Sequence, residues 1–599
     1  MALSETNQGQ AHALVVPYSA QGHLNPMLQL SKRLVSKGVR TTLAITVHLF
    51  RSMYMDPSGP SEVEIQTISD GYDHGGVAKA ESIEAYQTSF EVVGSQTLRS
   101  LIRRLDESGK PVQAVIYDGF ISWVLDVAKE CGKLGVVFFT QTCAVNNVYY
   151  HVKKGLVELP LKDPTVSFPA MPRLEPSEMP SFVYALGSYP TYYDMLMEQF
   201  SNVEKADYVM VNIFYEMEKE LVDWMSKNLW PVKTIGPAVP SAYLDKRLED
   251  DKDYSINLFK PNNEACTRWL SRQRPRSVVY VSFGSMADLK PEQMAELAAA
   301  LDRIRHRYSF LWIVRTSERF KLPPEFLAAS AEEKEGESGL ILTWCSQLEV
   351  LNHGSIGCFI THCGMNSTLE AISLGVPLVA VPQWSDQTTN AKFIEDVWRV
   401  GIRARPGKSG IIDKGEFEQC IEELMEGEKG KAIRESAKIW RDLAREAVDK
   451  GGSSDKNIDE FVAAMLSRRF RGPEEGSVPT TLYESVVSHL SFNHNCYAVL
   501  CVQNKSMNKN KWRKPTKKRG VFSFGPFFLV SCRRVMENDV WKNPNKVLFM
   551  NQEEMMLAKV HGGGKSFTVE EERGIFGEIL ELCSFEITGK ECRSCHCLS

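Results

Sequence analysis

Short apolar runs alternate along the chain with longer stretches of helical period, beginning at residue 12. Residues 12–17 predict a buried strand, 25–37 a helix with Leu28, Leu30 and Leu34 turned inward and Gly38 stopping it, and 41–46 the next strand. The same alternation predicts strands over 114–117, 136–140 and 208–212 and a helix over 122–130. A second series follows, with strands over 277–283, 310–314, 340–343, 358–361 and 378–381 and helices between them. Wholly apolar strands separated by helices build parallel sheets covered on both faces. The expected architecture is therefore α/β, with two Rossmann-like doubly wound domains facing each other across a cleft. Ligands of such sheets bind outside the carboxyl ends of the strands, which places the site in that cleft.

Between the two series lie Pro237, Pro240, Pro261 and the charged run LDKRLEDDKD, a composition that buries little and predicts a linker. The expected organisation is an N-terminal domain over 1–240, a linker over 241–262, a C-terminal domain over 263–440, closing helices over 441–466 that pack back on the N-terminal domain, and an extension over 467–599. Helical period runs over 431–450 and 454–465, the second started by Ser453, Ser454 and Asp455. The extension shows weak periodicity and a basic run over 505–519, read as a solvated segment rather than a nucleic-acid surface. Cys592, Cys595, His596 and Cys597 are too crowded, and lack the second spaced pair, to read as a zinc site.

Composition narrows the function. Apolar residues make up 43% and charged residues 24%, with a formal net charge of -5, so the chain reads as globular, with a small molecule rather than nucleic acid as its partner. The start, MALSETNQGQAHALVV, lacks a basic stretch followed by a long apolar core, and the strongest late apolar run, 521–532, is broken by Gly525 and Pro526. No membrane span and a cytoplasmic location are expected. The 14 cysteines, several inside apolar strand runs, read as small buried hydrophobes rather than a disulfide framework.

The chemistry concentrates in 344–387, WCSQLEVLNHGSIGCFITHCGMNSTLEAISLGVPLVAVPQWSDQ. A strand ending in His362, Cys363 and Gly364 feeds a helix that starts near Asn366 and Ser367 and stops at Gly375. Such a turn presents free backbone N–H groups and the positive end of the helix dipole to an anion, which makes it a phosphate seat. Asn366 and Ser367 add side-chain donors. In the first series, His23 is expected at the carboxyl end of the first strand, with Pro26 just inside the following helix. Asp118 ends the strand over 114–117.

This segment resembles the signature box of plant family-one UDP-glycosyltransferases, the secondary-product enzymes of the two-domain GT-B fold, and matches it without a gap. The similarity extends through YSAQGHLNPMLQLSKRL, VVYVSFGS and GGSSDKNIDEFV, covers roughly residues 10–466, and points to the subgroup acting on carboxylic acids and terpenoids. The resemblance implies that Trp344, with Cys345 beside it, stacks on uracil, that Gln347 and Glu370 bind the ribose side, and that His362, Asn366, Ser367 and Ser285 hold the diphosphate. The backbone at Gly364 and Met365 serves the same seat. Asp386 and Gln387 are implied to contact sugar hydroxyls, with Thr140 a further sugar contact. His23 is implied to be the catalytic base and Asp118 its orienting carboxylate. The donor would be UDP-glucose and the acceptor a small apolar molecule, phenolic, acidic or terpenoid, with inversion, no metal, no cofactor and a monomeric chain. The Asp251–Asp253 pair looks like the metal motif of other glycosyltransferases, but it falls in the charged linker and reads as solvated surface.

One departure lies inside the box, where the family's tryptophan after His-Cys-Gly is Met365. A flexible thioether then replaces a rigid wall, and a weakened grip on the donor is expected. Two other readings compete. A catalytically silent protein that binds nucleotide sugar would need neither His23 nor Asp118. A nicotinamide oxidoreductase would show a three-glycine fingerprint after its first strand, where this chain has Gln21, Gly22 and His23.

Overall fold

The computed structural model describes residues 10–55, 63–330 and 338–470, with five short strand segments between residues 500 and 597. The chain divides into two units, Met1–Glu475 and Gly476–Ser599. Among the described residues of the first, fifteen strands run in chain order: β1 (His12–Val16), β2 (Arg40–Thr46), β3 (Tyr54–Met55), β4 (Glu64–Ile68), β5 (Ala114–Asp118), β6 (Leu134–Phe139), β7 (Tyr208–Val211), β8 (Val232–Thr234), β9 (Ile256–Asn257), β10 (Val278–Ser282), β11 (Ser309–Ile313), β12 (Gly339–Leu342), β13 (Ile356–Thr361), β14 (Leu378–Ala380) and β15 (Gly401–Arg403).

They form a seven-stranded parallel sheet ordered β4-β2-β1-β5-β6-β7-β8 and a six-stranded one ordered β12-β11-β10-β13-β14-β15. β1, β5, β6, β10 and β13 are buried along their whole length, as strands between two helix layers must be. In each sheet the winding direction reverses once, between β1 and β5 and between β10 and β13. At these switch points successive connections leave to opposite faces and open a crevice beyond the strand ends. Register sets what meets there: Val16 pairs with Tyr117, and Ser282 with Thr361.

Several elements escaped the sequence pattern. β4 is a half-buried edge strand, and β8 and β15 have three residues each, too few to show a period. The 25-residue helix Ile83–Glu107 buries Tyr86, Phe90, Gly94, Leu98 and Ile102, a stripe four residues apart interrupted by polar side chains, and Ser82 caps it by accepting from the Ala85 N–H. Helix Glu428–Val448 runs unbroken through position 440. Helix Ser453–Phe470 lays Ile458, Phe461, Val462 and Met465 into the core beneath β1 and β5, and the Ser454 hydroxyl donates to the Gly236 carbonyl at 2.5 Å instead of capping its own helix.

The linker differs from its expectation. Asp251 is buried, held by Lys32 of the first helix at 2.8 Å and by the Ser241 N–H at 2.7 Å, so it is not a solvated surface residue. A buried carboxylate persists when a cation and hydrogen bonds compensate its lost hydration, and Lys32 supplies the charge. β3 and β9 pair antiparallel and fasten the linker to the first half.

In the second unit, Leu500–Val502 pairs antiparallel with Phe528–Leu529 and Met556–Leu557, and Leu548–Phe549 with His596–Cys597. The basic run 505–519, Cys592 and Cys595 lie outside the described residues. Among the described residues, no helix is long and apolar enough to cross a membrane.

Candidate active site

A cavity of about 540 Å³ opens where the two switch points face each other. It is lined by His23, Thr140, Ser285, Trp344, Cys345, Gln347, His362, Gly364, Met365, Asn366, Ser367, Glu370, Asp386 and Gln387, so every expected site residue except Asp118 reaches it. Asp118 lies directly behind His23. Its Oδ2 is 2.6 Å from His23 Nδ1, and its Oδ1 accepts from the Phe120 N–H at 3.0 Å. With Nδ1 donating to that carboxylate, Nε2 keeps its lone pair for the cavity side. Tyr18 and Phe120 wall the imidazole, with ring centroids 5.5 Å and 4.5 Å away.

His23 is not at the end of the strand. The helix starts at Gln21, four residues earlier than expected, so His23 is its third residue and Pro26 its sixth. Pro26 has no N–H to return to the Gly22 carbonyl one turn back. That carbonyl instead accepts from Asn366 Nδ2 of the opposite half at 2.6 Å. The proline that marked a helix start thus leaves an acceptor exposed in the cleft, and the far wall supplies the donor.

On the far wall, β13 ends in His362, Cys363 and Gly364, and helix Met365–Leu374 begins at once, closed by Gly375 in the left-handed conformation. Cys363 itself has φ 66°, a strained conformation for a non-glycine residue, and its carbonyl is held by Asn390 Nδ2 at 2.9 Å. Burial pushes the His362 imidazole down to about 4, so it is a neutral hydrogen-bonding group near neutral pH. Its Nδ1 is buried without a partner. Gly284, at φ +70°, touches this ring so closely that a Cβ there would come within 2.7 Å of it. Arg315 buttresses the same loop from behind by donating to the carbonyls of Ser285 and Ala287. No lysine or arginine is among the lining residues, so an anion here would rest on backbone N–H groups, the helix start and neutral side chains.

Glu370 lies further along the same helix. Gln347 Nε2 donates to its Oε2 at 2.7 Å and to Ser367 Oγ at 2.9 Å, while the Tyr254 hydroxyl donates to Oε1 at 2.9 Å. Burial pushes this carboxyl up to about 7 against those two hydrogen bonds. Trp344 carries the Phe259 ring on one side, centroids 4.5 Å apart. Cys345 is buried, and the adjacent Cys266 and burial push its thiol up, which makes it a neutral wall.

Asp386 precedes helix Gln387–Lys392 without capping it through its side chain, and burial raises its carboxyl while Asn390 Nδ2, at 2.7 Å, opposes the shift. Gln387 uses its side-chain carbonyl to accept from the Gln383 and Trp384 N–H groups, at 2.9 Å and 3.2 Å. This turn is stitched to the first half: Ser181 N–H donates to the Ser385 carbonyl at 2.9 Å, Thr389 Oγ1 to the Glu178 carbonyl at 2.9 Å, and Lys392 meets the Glu178 carboxylate at 3.0 Å.

Of the aromatics over 182–193, Phe182 and Tyr192 line the cavity, whereas Tyr184, Tyr189 and Tyr193 are not among its lining residues. Tyr189 nonetheless joins Phe182 and Tyr192 around Trp384, with centroids 5.7–5.8 Å from the indole. Sequence reasoning missed Tyr18, Phe120, Tyr254 and Trp384. The last stands inside the box, where its aromatic face was a readable signal. Among the described residues no group of three or more His, Cys, Asp or Glu side chains could hold a metal ion.

A nucleotide-sized cavity between two Rossmann-type sheets, with a helix start on one wall and a histidine–aspartate pair on the other, defines the GT-B class of glycosyltransferase. The family described as UDP-glucoronosyl and UDP-glucosyl transferase matches residues 191–451, and the chain belongs to it. It is 47% identical over 463 residues to UDP-glycosyltransferase 74F2 of Arabidopsis thaliana, covering 77% of this chain and 99% of that protein. It is 46% identical to flavonol 7-O-beta-glucosyltransferase UGT74F1 of the same plant, covering 76% and 98%. Among solved structures it is similar to Os79 from O. sativa in complex with UDP, with a TM-score of 0.70, 37% identity, and coverage of 76% of this chain and all of that one.

Proposed function

We propose that this UDP-glycosyltransferase moves glucose from UDP-glucose to a hydroxyl or carboxyl of a small apolar acceptor, with inversion at the anomeric carbon, using His23 as base and Asp118 as its orienting carboxylate. The observation that carries this reading is the placement of the His23–Asp118 pair, 2.6 Å apart, across one cavity from the Gly364 helix start. His23 Nε2 takes the acceptor proton as the oxygen attacks. Asp118 fixes the tautomer and stabilises the imidazolium.

The departing diphosphate rests on the N–H groups at Gly364–Asn366, the Ser367 and Ser285 hydroxyls, and neutral His362. These donors are aimed where negative charge grows, so they assist the transition state more than the ground state. Trp344 takes the uracil face, Gln347 and Glu370 the ribose, and Asp386, Gln387 and Thr140 the sugar. Phe182, Tyr192 and Trp384 offer flat apolar faces to the acceptor, which suits a phenolic or terpenoid body. The reading needs no metal, and it assigns the enzyme to the cytoplasm as a monomer.

The test is a screen of phenols, organic acids and terpenoids with UDP-glucose, read by product mass and by the anomeric proton coupling of each glucoside. A β-linked product supports the reading. UDP-glucose bound with no sugar released to any acceptor would favour a silent binding protein instead.

A further inference from the structure

The stretch that joins the two sheets also frames the nucleoside end of the cavity. Its Asp251 is anchored on Lys32, and its Ile256 carbonyl and Leu258 N–H hold the Gln21 side chain at 3.0 Å and 2.8 Å, two residues before His23. Across the cleft it reaches Glu370 through the Tyr254 hydroxyl, at 2.9 Å, and Trp344 through Phe259. Asn263 Oδ1 accepts from the Ser346 N–H at 2.7 Å and ties the same stretch to the backbone beside Trp344.

A carboxylate offers about four lone-pair sites. In Glu370, Oε1 accepts from Tyr254 and Oε2 from Gln347, one bond each. Each oxygen therefore keeps one site, and two free sites on neighbouring oxygens match two vicinal hydroxyls. A ribose can occupy them without displacing the tyrosine. The bond also bears on ionisation, because burial opposes the charge on Glu370, and the Gln347 and Tyr254 hydrogen bonds are the forces that favour it. The other ionisable groups in this neighbourhood are Tyr243 of the linker, Tyr280 of β10, and the carboxylates of Asp251, Asp253 and Glu349; Lys32 is taken up by Asp251.

We propose that Tyr254 is a positioning residue of the nucleoside site, contributed by the linker: its hydroxyl orients the Glu370 carboxylate so that each oxygen is left one lone pair for the ribose diol. This rests on the UDP-sugar reading above.

The experiment is calorimetric titration of UDP-glucose, without acceptor, into the full chain and its Tyr254→Phe variant across the neutral pH range. The donor's esterified diphosphate has no proton to exchange there, so the profile reports the protein. In the parent chain affinity rises with pH through about 7 as Glu370 ionises. In Tyr254→Phe the midpoint moves alkaline by about one pH unit, and affinity at neutral pH falls about five- to tenfold. Glu370→Gln removes the pH dependence altogether. The phenylalanine keeps the ring, and equal melting temperatures separate positioning from folding. A Tyr254→Phe profile that overlays the parent's overturns this inference alone. A parent chain that binds no UDP-glucose at any pH overturns the functional reading and this inference with it.

Discussion

Replacing Asp118 by Asn removes one charge from behind His23, the proposed base, and leaves the shape of the site intact. In the parent chain the carboxylate lies 2.6 Å from His23 Nδ1, and the side chains are 2% and 15% exposed. When the imidazole takes the acceptor proton, two opposite charges face each other about 4 Å apart between their centres, worth about 4 kcal/mol at an effective dielectric of about 20. An amide retains part of this through its dipole. It can also turn its NH2 toward Nδ1, which forces the ring proton onto Nε2 and removes the base. The expected loss is about 3 kcal/mol, or about 10²-fold in kcat. Asp118 does not line the cavity, so the donor KM should stay within about twofold. The assay is initial-rate glucoside formation from UDP-glucose with the best hydroxyl acceptor, read by product mass, beside a melting curve. A kcat within about threefold of the parent, with unchanged melting, would refute the assignment of Asp118 as the orienting group.

Three further outcomes follow from the same geometry. His23→Ala should harm transfer to alcohols far more than transfer to carboxylic acids, which are already ionised near neutral pH; equal losses on a matched pair of acceptors would contradict a base role. Met365→Trp places a rigid wall beside the Gly364 helix start and should lower the donor KM severalfold, and saturation curves identical to the parent's would count against the weakened grip. Glu218 is buried beneath the helix that follows Thr140, accepts from the N–H groups of Cys143 and Ala144 at 2.7 Å and 3.0 Å, and is pushed up to about 7 by burial. Its folded value lies above the unfolded one, so its contribution to stability is complete in mild acid and is lost as pH rises through about 7. The melting temperature should therefore fall across that window and Glu218→Gln should flatten the slope; a parallel slope in the variant would show that Glu218 is not its source.

The wall from Trp344 to Gln387 was legible because its residues are consecutive. Strand, glycine turn, helix and second turn follow one another there, so the local structure could be read from neighbouring residues, while the individual roles came from the family resemblance. His23 and Asp118 were legible separately, and their meeting follows from β1 and β5 being adjacent, which the alternation of strands and helices implied without specifying strand order. The linker misled for a physical reason. Its charges suggested water, but Asp251 is neutralised by Lys32, about two hundred residues away in sequence, and no local pattern announces such a partner. Pro26 misled in a similar way: inside a helix it costs one hydrogen bond, about 3 kcal/mol by intrinsic propensity, and the carbonyl it leaves free is met by the amide of Asn366 on the opposite wall.

The seam between 178–181 and 385–392 joins the segment that brings Phe182 to the cavity with the turn that brings Asp386 and Gln387 to it. Neither side can be remodelled alone. On the proposed assignment, a change at Ser181 or Glu178 meant to admit a bulkier aglycone also shifts Asp386 and Gln387 across the seam, so new acceptor range and altered hexose preference should arise together in variants of this segment.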